Sequence, residues 1–394
     1  MRIAYVSADR GVPVFGSKGC SIHVQQVLRA WLAKGVEAEL FTASLGGAAP
    51  LDLRGIPVHE LDRSDAHGVD RELQAISANG TLGRRLLRSA AFDAIYERLS
   101  LFGFAGMEVA QRLGVPGILE VNAPLVEEQL RHRRLIDVTS AYAALRRALR
   151  AARHIVAVSD AVASYLEGFE EAAGKVVVVP NGADVQRIRP LDAKPASGGT
   201  FTVGFVGSLK PWHALDIVVE AAAEVATSLP ELRLQIVGDG PCRDALEAAT
   251  QRAGLERHTH FVGAVAPDRI PAELRRMDVG IAPYADGPGC YFSPLKVFEY
   301  MAAGLPVVAT RAGQLTRVVQ DGASGILCEP GSASDWVEAL LQLGGRPALR
   351  DAMGRAGRQR AIEEYSWDRV ADRLLALAIP QPIQLESPLA IAAG

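Results

Sequence analysis

The chain has 394 residues, of which 49% are hydrophobic and 22% charged, and its net charge is −3. That length exceeds one average core and points to two domains. The near-neutral charge argues against nucleic acid as a partner, and the four scattered cysteines (Cys20, Cys242, Cys290, Cys328) argue against a disulfide framework or a zinc site.

From the start, Met-Arg-Ile-Ala-Tyr-Val leads directly into a strand-like run with no signal-peptide pattern. No uncharged apolar run reaches about 18 residues, the length that marks a membrane span. The expectation is a cytoplasmic protein, with peripheral contact at the inner face of the membrane left open.

Strand-length apolar runs then alternate with amphipathic segments. In the first half, Arg2–Ser7, Ala38–Ala43, Ala94–Glu97, Gly117–Val121 and Ile155–Val158 read as strands, and Val176–Pro180 closes the set. Ser21–Lys34, Phe104–Leu113, Glu127–His154 (with a break) and Ala161–Leu166 read as helices. In the second half, Thr202–Val206, Leu232–Val237, His260–Val262, Val279–Ala282, Val307–Ala309 and Gly325–Cys328 read as strands. Ala214–Ser228, Arg243–Arg252 and Ser334–Leu343 are the clearest helices between them. This alternation predicts an α/β protein with two doubly wound, mainly parallel domains, over 1–185 and 200–365. A linker is expected over 191–199, a last helix near Trp367–Leu377, and a loosely held tail over 379–394.

Ligands of open parallel sheets bind beyond the carboxyl ends of the strands, so loops that follow strands carry the weight. Gly11, Gly16 and Gly19, with Ser17 and Lys18, follow the first strand; such glycines let backbone N–H groups approach a phosphate or sugar. An ordinary flexible loop is the alternative. Gly207-Ser208-Leu-Lys210-Pro-Trp212-His213 places a lysine in reach of an anion. Gly238-Asp-Gly lacks the second half of a dinucleotide fingerprint, since Arg243 stands where the last glycine belongs. The 286–292 loop, ending in Tyr291 and Phe292, suggests a flexible cover over the site. Asn122 and Arg98 each follow a strand and face the same cleft. The basic clusters at 131–134 and 146–153 read as solvated helix faces or, more sharply, as contacts to an anionic acceptor or membrane surface. His258 and His260 read as structural, with no third ligand nearby.

Ser293-Pro294-Leu295-Lys296-Val-Phe-Glu299-Tyr-Met-Ala-Ala-Gly304 is the most informative segment. Ser293 suits a helix N-cap, Pro294 the first helical position, and Gly304 the residue past the end. Lys296 in the first turn opposes the helix dipole, and an anion held by the lysine and the free N–H groups resolves that conflict. Glu299, one turn deeper, can accept from hydroxyls of the same ligand. The alternative is an intrahelical Lys296–Glu299 pair.

Taken together, Gly16–Gly19, Glu120-Val-Asn-Ala-Pro124, Val158-Ser-Asp-Ala161, Val179-Pro-Asn-Gly-Ala-Asp184, the 205–213 loop, Val237-Gly-Asp-Gly-Pro241 and 293–304 resemble the retaining glycosyltransferases of family 4 from Met1 to about Leu377. The resemblance implies the GT-B fold: two Rossmann-like domains facing a cleft, with the acceptor on the first, a nucleotide-diphosphate sugar (UDP- or GDP-linked) on the second, and a terminal helix near 366–378 crossing back. It implies donor contacts from Gly16, Ser17, Gly19, Gly207, Ser208, Gly238, Tyr291, Phe292, Ser293, Pro294, Leu295 and Glu299, and acceptor contacts from Lys18 and Arg98. Glu299 matches the second glutamate of the family's E-x7-E motif; Tyr291 stands in place of the first. Ser208 and His213 occupy positions where many members carry Arg and Lys, which transfers the diphosphate role to Lys210 and Lys296. Asn122 corresponds to a histidine often found near the reacting sugar and completes the catalytic set. No cofactor and no metal are expected, since no Asp-x-Asp is present and lysines can hold the leaving diphosphate. The acceptor is a sugar-containing, lipid-linked or small natural product. A non-catalytic sugar-nucleotide-binding protein and, less well supported, an NAD-dependent oxidoreductase are the alternatives.

Overall fold

The computed structural model describes residues 1–61, 68–89, 91–190, 199–285 and 290–379. Most of the expected linker (191–198), part of the expected cover (286–289) and nearly all of the expected tail (380–394) therefore lie outside the described residues.

The first half builds strands β1 (Arg2–Ser7), β2 (Glu37–Thr42), β3 (Val58–Glu60), β4 (Ala94–Arg98), β5 (Gly117–Val121), β6 (His154–Ala157) and β7 (Val176–Val178). The second builds β8 (Phe201–Val206), β9 (Leu232–Val237), β10 (Thr259–Gly263), β11 (Val279–Ala282), β12 (Val307–Thr310) and β13 (Gly325–Cys328). They form two sheets, ordered β3-β2-β1-β4-β5-β6-β7 and β10-β9-β8-β11-β12-β13. All named pairings are parallel, and chain order reverses between β1 and β4 and again between β8 and β11. Both domains are thus doubly wound, each with a switch point where a crevice opens at the strand ends. Helices cover both faces, so central strands such as β5 and β12 are buried along their whole length. Val24, Leu28 and Trp31 pack one face of the first sheet, and Met107 and Leu149 the other. In the second, Val225 and Leu340 lie on one side, with Phe298 and Met301 on the other.

The terminal helix, Trp367–Ala378, leaves the second domain and packs on the first, where Trp367, Val370 and Leu374 join the core of Trp31. Lys34 anchors it through Asp368 and Asp372, both at 2.7 Å. The chain crosses through a parallel bridge between Ala183 and Ser366.

Several sequence expectations are corrected. The 127–154 helix is two helices, Leu125–His132 and Val138–Ala151, the second capped by Asp137, whose Oδ1 accepts from the Ser140 N–H at 2.9 Å; His154 belongs to β6. The basic residues of that second helix form ion pairs on a solvent-exposed face, Arg146 and Arg150 with Glu171 and Arg147 with Glu108. His258 Nδ1 bonds Leu232 O at 2.8 Å. Strand β3 and the helices Val69–Arg88 and Pro347–Glu363 are additions. Among the described residues, no helix is long and apolar enough to cross a membrane.

The Pro347–Glu363 helix buries small residues, Gly354, Gly357 and Ala361, against the segment that ends at Gly304. A Cβ on Gly354 would stand 2.0 Å from Gly304 O. Gly354→Ala is therefore expected to lose about 1–3 kcal/mol by overpacking, read by urea unfolding.

Candidate functional site

The two switch points face one another across a cleft of about 920 Å³, near the upper end of small-ligand sites. The first domain contributes Ser17, Lys18, Gly19, Arg98 and Asn122, and the second Gly207, Ser208, Lys210, Gly238, Glu299 and the run from Tyr291 to Lys296. Of the residues expected to contact donor or acceptor or to act in catalysis, Gly16 alone is not on the cleft wall. It is a turn residue, with its N–H donating to Pro13 O at 2.8 Å and its carbonyl accepting from Gln25 Nε2 at 2.9 Å.

Lys296 is the centre of the second-domain wall. It lies in the first turn of the Leu295–Ala302 helix and is buried. Its Nζ sits 3.0 Å from His213 Nε2, 4.0 Å from the Phe205 ring centroid and 5.6 Å from that of Tyr284. His213 Nδ1 lies 2.8 Å from Ser208 O, which can only accept, so Nδ1 carries the proton and Nε2 is the bare acceptor for the ammonium. Burial, and then the charge of Lys296, push the His213 pKa down to about 3, which keeps the ring neutral. Burial also holds Lys296 well below its usual value, against the pull of Glu299. Among the described residues no carboxylate forms an ion pair with Lys296. The intrahelical pair with Glu299 is thus electrostatic only, and burial raises the Glu299 carboxyl to about 7 against Lys296 and Arg187.

Two glycines make room for this arrangement. Gly207 (φ +146°) has Lys296 Nζ 2.9 Å from where a Cβ would stand, and Gly238 (φ +135°) has Gly207 O 1.9 Å from that point. The loop is held by Gly207 N–H to Val237 O and Leu209 N–H to Asp239 O, each 2.9 Å. Lys210 lies beyond it, its Nζ 5.8 Å from the centroid of the half-exposed Trp212.

Ser293 does not cap the helix. Pro294 is the N-cap residue and no side chain caps the end. The Ser293 hydroxyl instead accepts from the Asn181 N–H at 3.0 Å, because that residue meets the other domain. Tyr291 also crosses: its carbonyl accepts from Ser159 Oγ, and its hydroxyl donates to Glu128 at 3.2 Å.

On the first-domain wall the organising group is Glu120, fully buried at the end of β5. Its Oε1 accepts from Arg98 and Asn122, each at 2.8 Å; its Oε2 accepts from Tyr96 and from His23 Nε2, the latter at 2.8 Å. Burial raises the pKa of such a carboxyl, but His23, Arg98 and Tyr96 outweigh it and bring Glu120 down to about 2. Glu97 on the neighbouring strand lacks such cations, and burial takes it up to about 7. Arg98 and Asn122 therefore face the cleft already tied to Glu120. Asn122 Oδ1, a buried acceptor, has no hydrogen-bond partner among the described residues.

Residue-level reading missed His23, Tyr96 and Asn181. A lone histidine on a helix reads as core, yet Glu120 amid an apolar strand was a signal, since a buried carboxylate demands partners.

The second domain matches the family model described as glycosyl transferases group 1, over residues 200–345, and the first matches the glycosyl transferase 4-like domain, over 18–182. Among curated relatives, a D-inositol 3-phosphate glycosyltransferase from Actinosynnema mirum is 27% identical over 390 residues, covering 91% of each chain. One from Rhodococcus jostii is 28% identical over 387, covering 91% of this chain and 83% of its own. Among solved structures, a sucrose-phosphate synthase from Thermosynechococcus elongatus superposes with a TM-score of 0.74 at 19% identity, covering 96% of this chain and 98% of the other. The Anabaena protein HepE, in complex with UDP-glucose, gives 0.69 at 19% identity, with 95% and 98% covered.

The Glu120 cluster has a measurable signature. Its folded pKa lies below its unfolded value, so the unfolded chain binds more protons and stability falls as pH drops from about 4.5 towards 2. Urea unfolding across that window is expected to fall more steeply for the parent than for Glu120→Gln. Two family matches on successive domains, full-length relatives and the paired doubly wound sheets agree: this chain belongs to the group 1, family 4-type glycosyltransferases and has the GT-B fold.

Proposed function

We propose that the cleft transfers a sugar from a nucleotide-diphosphate donor to an acceptor hydroxyl, with retention of configuration at the anomeric carbon. The observation that carries this reading is Lys296: a buried lysine, in the first turn of an uncapped helix, whose amine meets a neutral imidazole and no carboxylate among the described residues. Charge grows on the β-phosphate as the nucleoside diphosphate departs. A fixed cation and free helix N–H groups at that point stabilise the transition state more than the ground state. Lys210 and the Gly207 loop extend the positive wall, while Glu299 accepts from ribose hydroxyls. HepE was solved in complex with UDP-glucose, which supports the donor class.

On the opposite wall, Asn122 Oδ1 can accept from a sugar hydroxyl. Lys18, Arg98 and Arg131 line the first-domain wall of the cleft, the side this reading assigns to the acceptor. They suit a polyol or sugar that carries an anionic group, in keeping with the inositol phosphate in the relatives' names. In this reading the acceptor hydroxyl attacks on the face the diphosphate leaves, a departing phosphate oxygen takes its proton, and lysines replace a divalent ion.

The test has two stages. In a thermal-shift panel of UDP-sugars, GDP-sugars and NAD, a nucleotide sugar at about 100-fold over its dissociation constant should stabilise the fold by about 2.7 kcal/mol, and NAD should not. With that donor saturating, Lys296→Ala or Lys210→Ala is expected to cost about 10²–10³ in turnover, the range for loss of one preorganised donor, and chelation by EDTA to cost nothing. Turnover within a few-fold of the parent would overturn the lysine assignment.

A further inference from the structure

We infer that His23 is a positioning residue which, through Asn181 and Ser293, ties the buried carboxylate of the first domain to the start of the Leu295–Ala302 helix. Its relevance to transfer rests on the reading of that helix as the diphosphate-binding element.

His23 lies on the Gly19–Ala33 helix, buried, with its ring edge-on to Trp367 at 5.4 Å. Its Nε2 is 2.8 Å from Glu120 Oε2 and its Nδ1 2.7 Å from Asn181 Oδ1. The orientation of the Asn181 amide is settled by its other end, where Nδ2 donates to Ser293 O at 2.7 Å. Turning the amide over would set its oxygen against that carbonyl oxygen and aim its NH₂ at the ring. So Nδ1 meets an acceptor.

Nε2 meets one too. Glu120 takes four donors, two on each oxygen, which fills an ionised carboxylate. A protonated Glu120 would have to give up one of them. Both imidazole nitrogens therefore donate, and the ring is a cation fixed in its plane by two bonds at opposite ends. Rotation about χ2 would lose both at once. The ring acts as a strut between a buried charge and Asn181.

Asn181 then grips Ser293 twice, by Nδ2 to its carbonyl and by its own N–H to its hydroxyl at 3.0 Å. Lys296 follows three residues later. The hydroxyl that local sequence assigns to capping the helix is spent on this grip, which leaves the helix N–H groups uncapped. The strut thus sets where the helix start stands relative to the opposite wall of the cleft.

The experiment uses the full chain and amide hydrogen exchange read by mass spectrometry. His23→Phe keeps the ring against Trp367 and removes both hydrogen bonds. Asn181→Ala leaves the His23–Glu120 bond in place and removes the amide link, so it tests the strut even where His23→Phe fails to fold. In Asn181→Ala, peptides over 290–302 are expected to exchange about tenfold faster, the effect of losing one or two hydrogen bonds, while strands β1 and β5 keep their parental rates. The double variant should be no faster than the single ones. Long-range 1H–15N spectra of the parent should show protons on both His23 nitrogens. Unchanged exchange over 290–302 in folded Asn181→Ala would overturn the inference, as would a bare His23 nitrogen in the parent. The readout needs no nucleotide, so its failure is separate from a failure of the donor reading.

Discussion

Lys296 Nζ lies against a neutral imidazole nitrogen and the faces of two aromatic rings. Burying an ammonium costs several kcal/mol after relaxation, and desolvated cation–π contact returns about 2 kcal/mol. A neutral hydrogen-bond acceptor adds about another one to three. The contacts come close to the cost without clearly exceeding it, so the charge is tolerated more than satisfied. An anion at the same point turns that tolerance into binding. The surrounding sequence serves this geometry: Gly207 leaves space for the ammonium, Gly238 leaves space for the Gly207 carbonyl, and Ser208 O fixes the His213 tautomer that accepts from it.

The opposite wall solves the reverse problem. Glu120 is a buried anion with four donors, two of them cationic, so the region carries a net positive balance although its centre is a carboxylate. Glu97, one strand away, has backbone N–H donors and no cation, and its pKa moves the other way. Neighbouring strands thus hold two glutamates in different states for reasons visible in their partners. Both charge centres lie at switch points of doubly wound sheets, where crossovers part and side chains at the strand ends face a crevice.

Much of this was legible in the sequence because parallel strands buried on both faces read as short apolar runs. β1, β5, β8, β9 and β12 stand out for that reason. β3 did not, since its three residues lie at an edge and none is buried. The Pro347–Glu363 helix was missed because its buried face is mostly small, with Gly354, Gly357 and Ala361 beside Met353, which leaves little apolar periodicity. At the site, the lysine of the 293–304 segment was readable from cap and dipole logic. What Ser293 does was not, because a residue three-dimensionally next to Asn181 outcompetes a local cap. His23 was silent for the same reason: its partners, Glu120 and Asn181, are 97 and 158 residues away.

The central claim is that a diphosphate completes the coordination of Lys296. A crystal structure with a non-hydrolysable nucleotide sugar tests it most directly. The expected result is a β-phosphate oxygen within about 3 Å of Lys296 Nζ, beside Gly207 and the uncapped start of the Leu295–Ala302 helix. A diphosphate bound elsewhere in the cleft, with the Lys296–His213 contact untouched, would contradict the account.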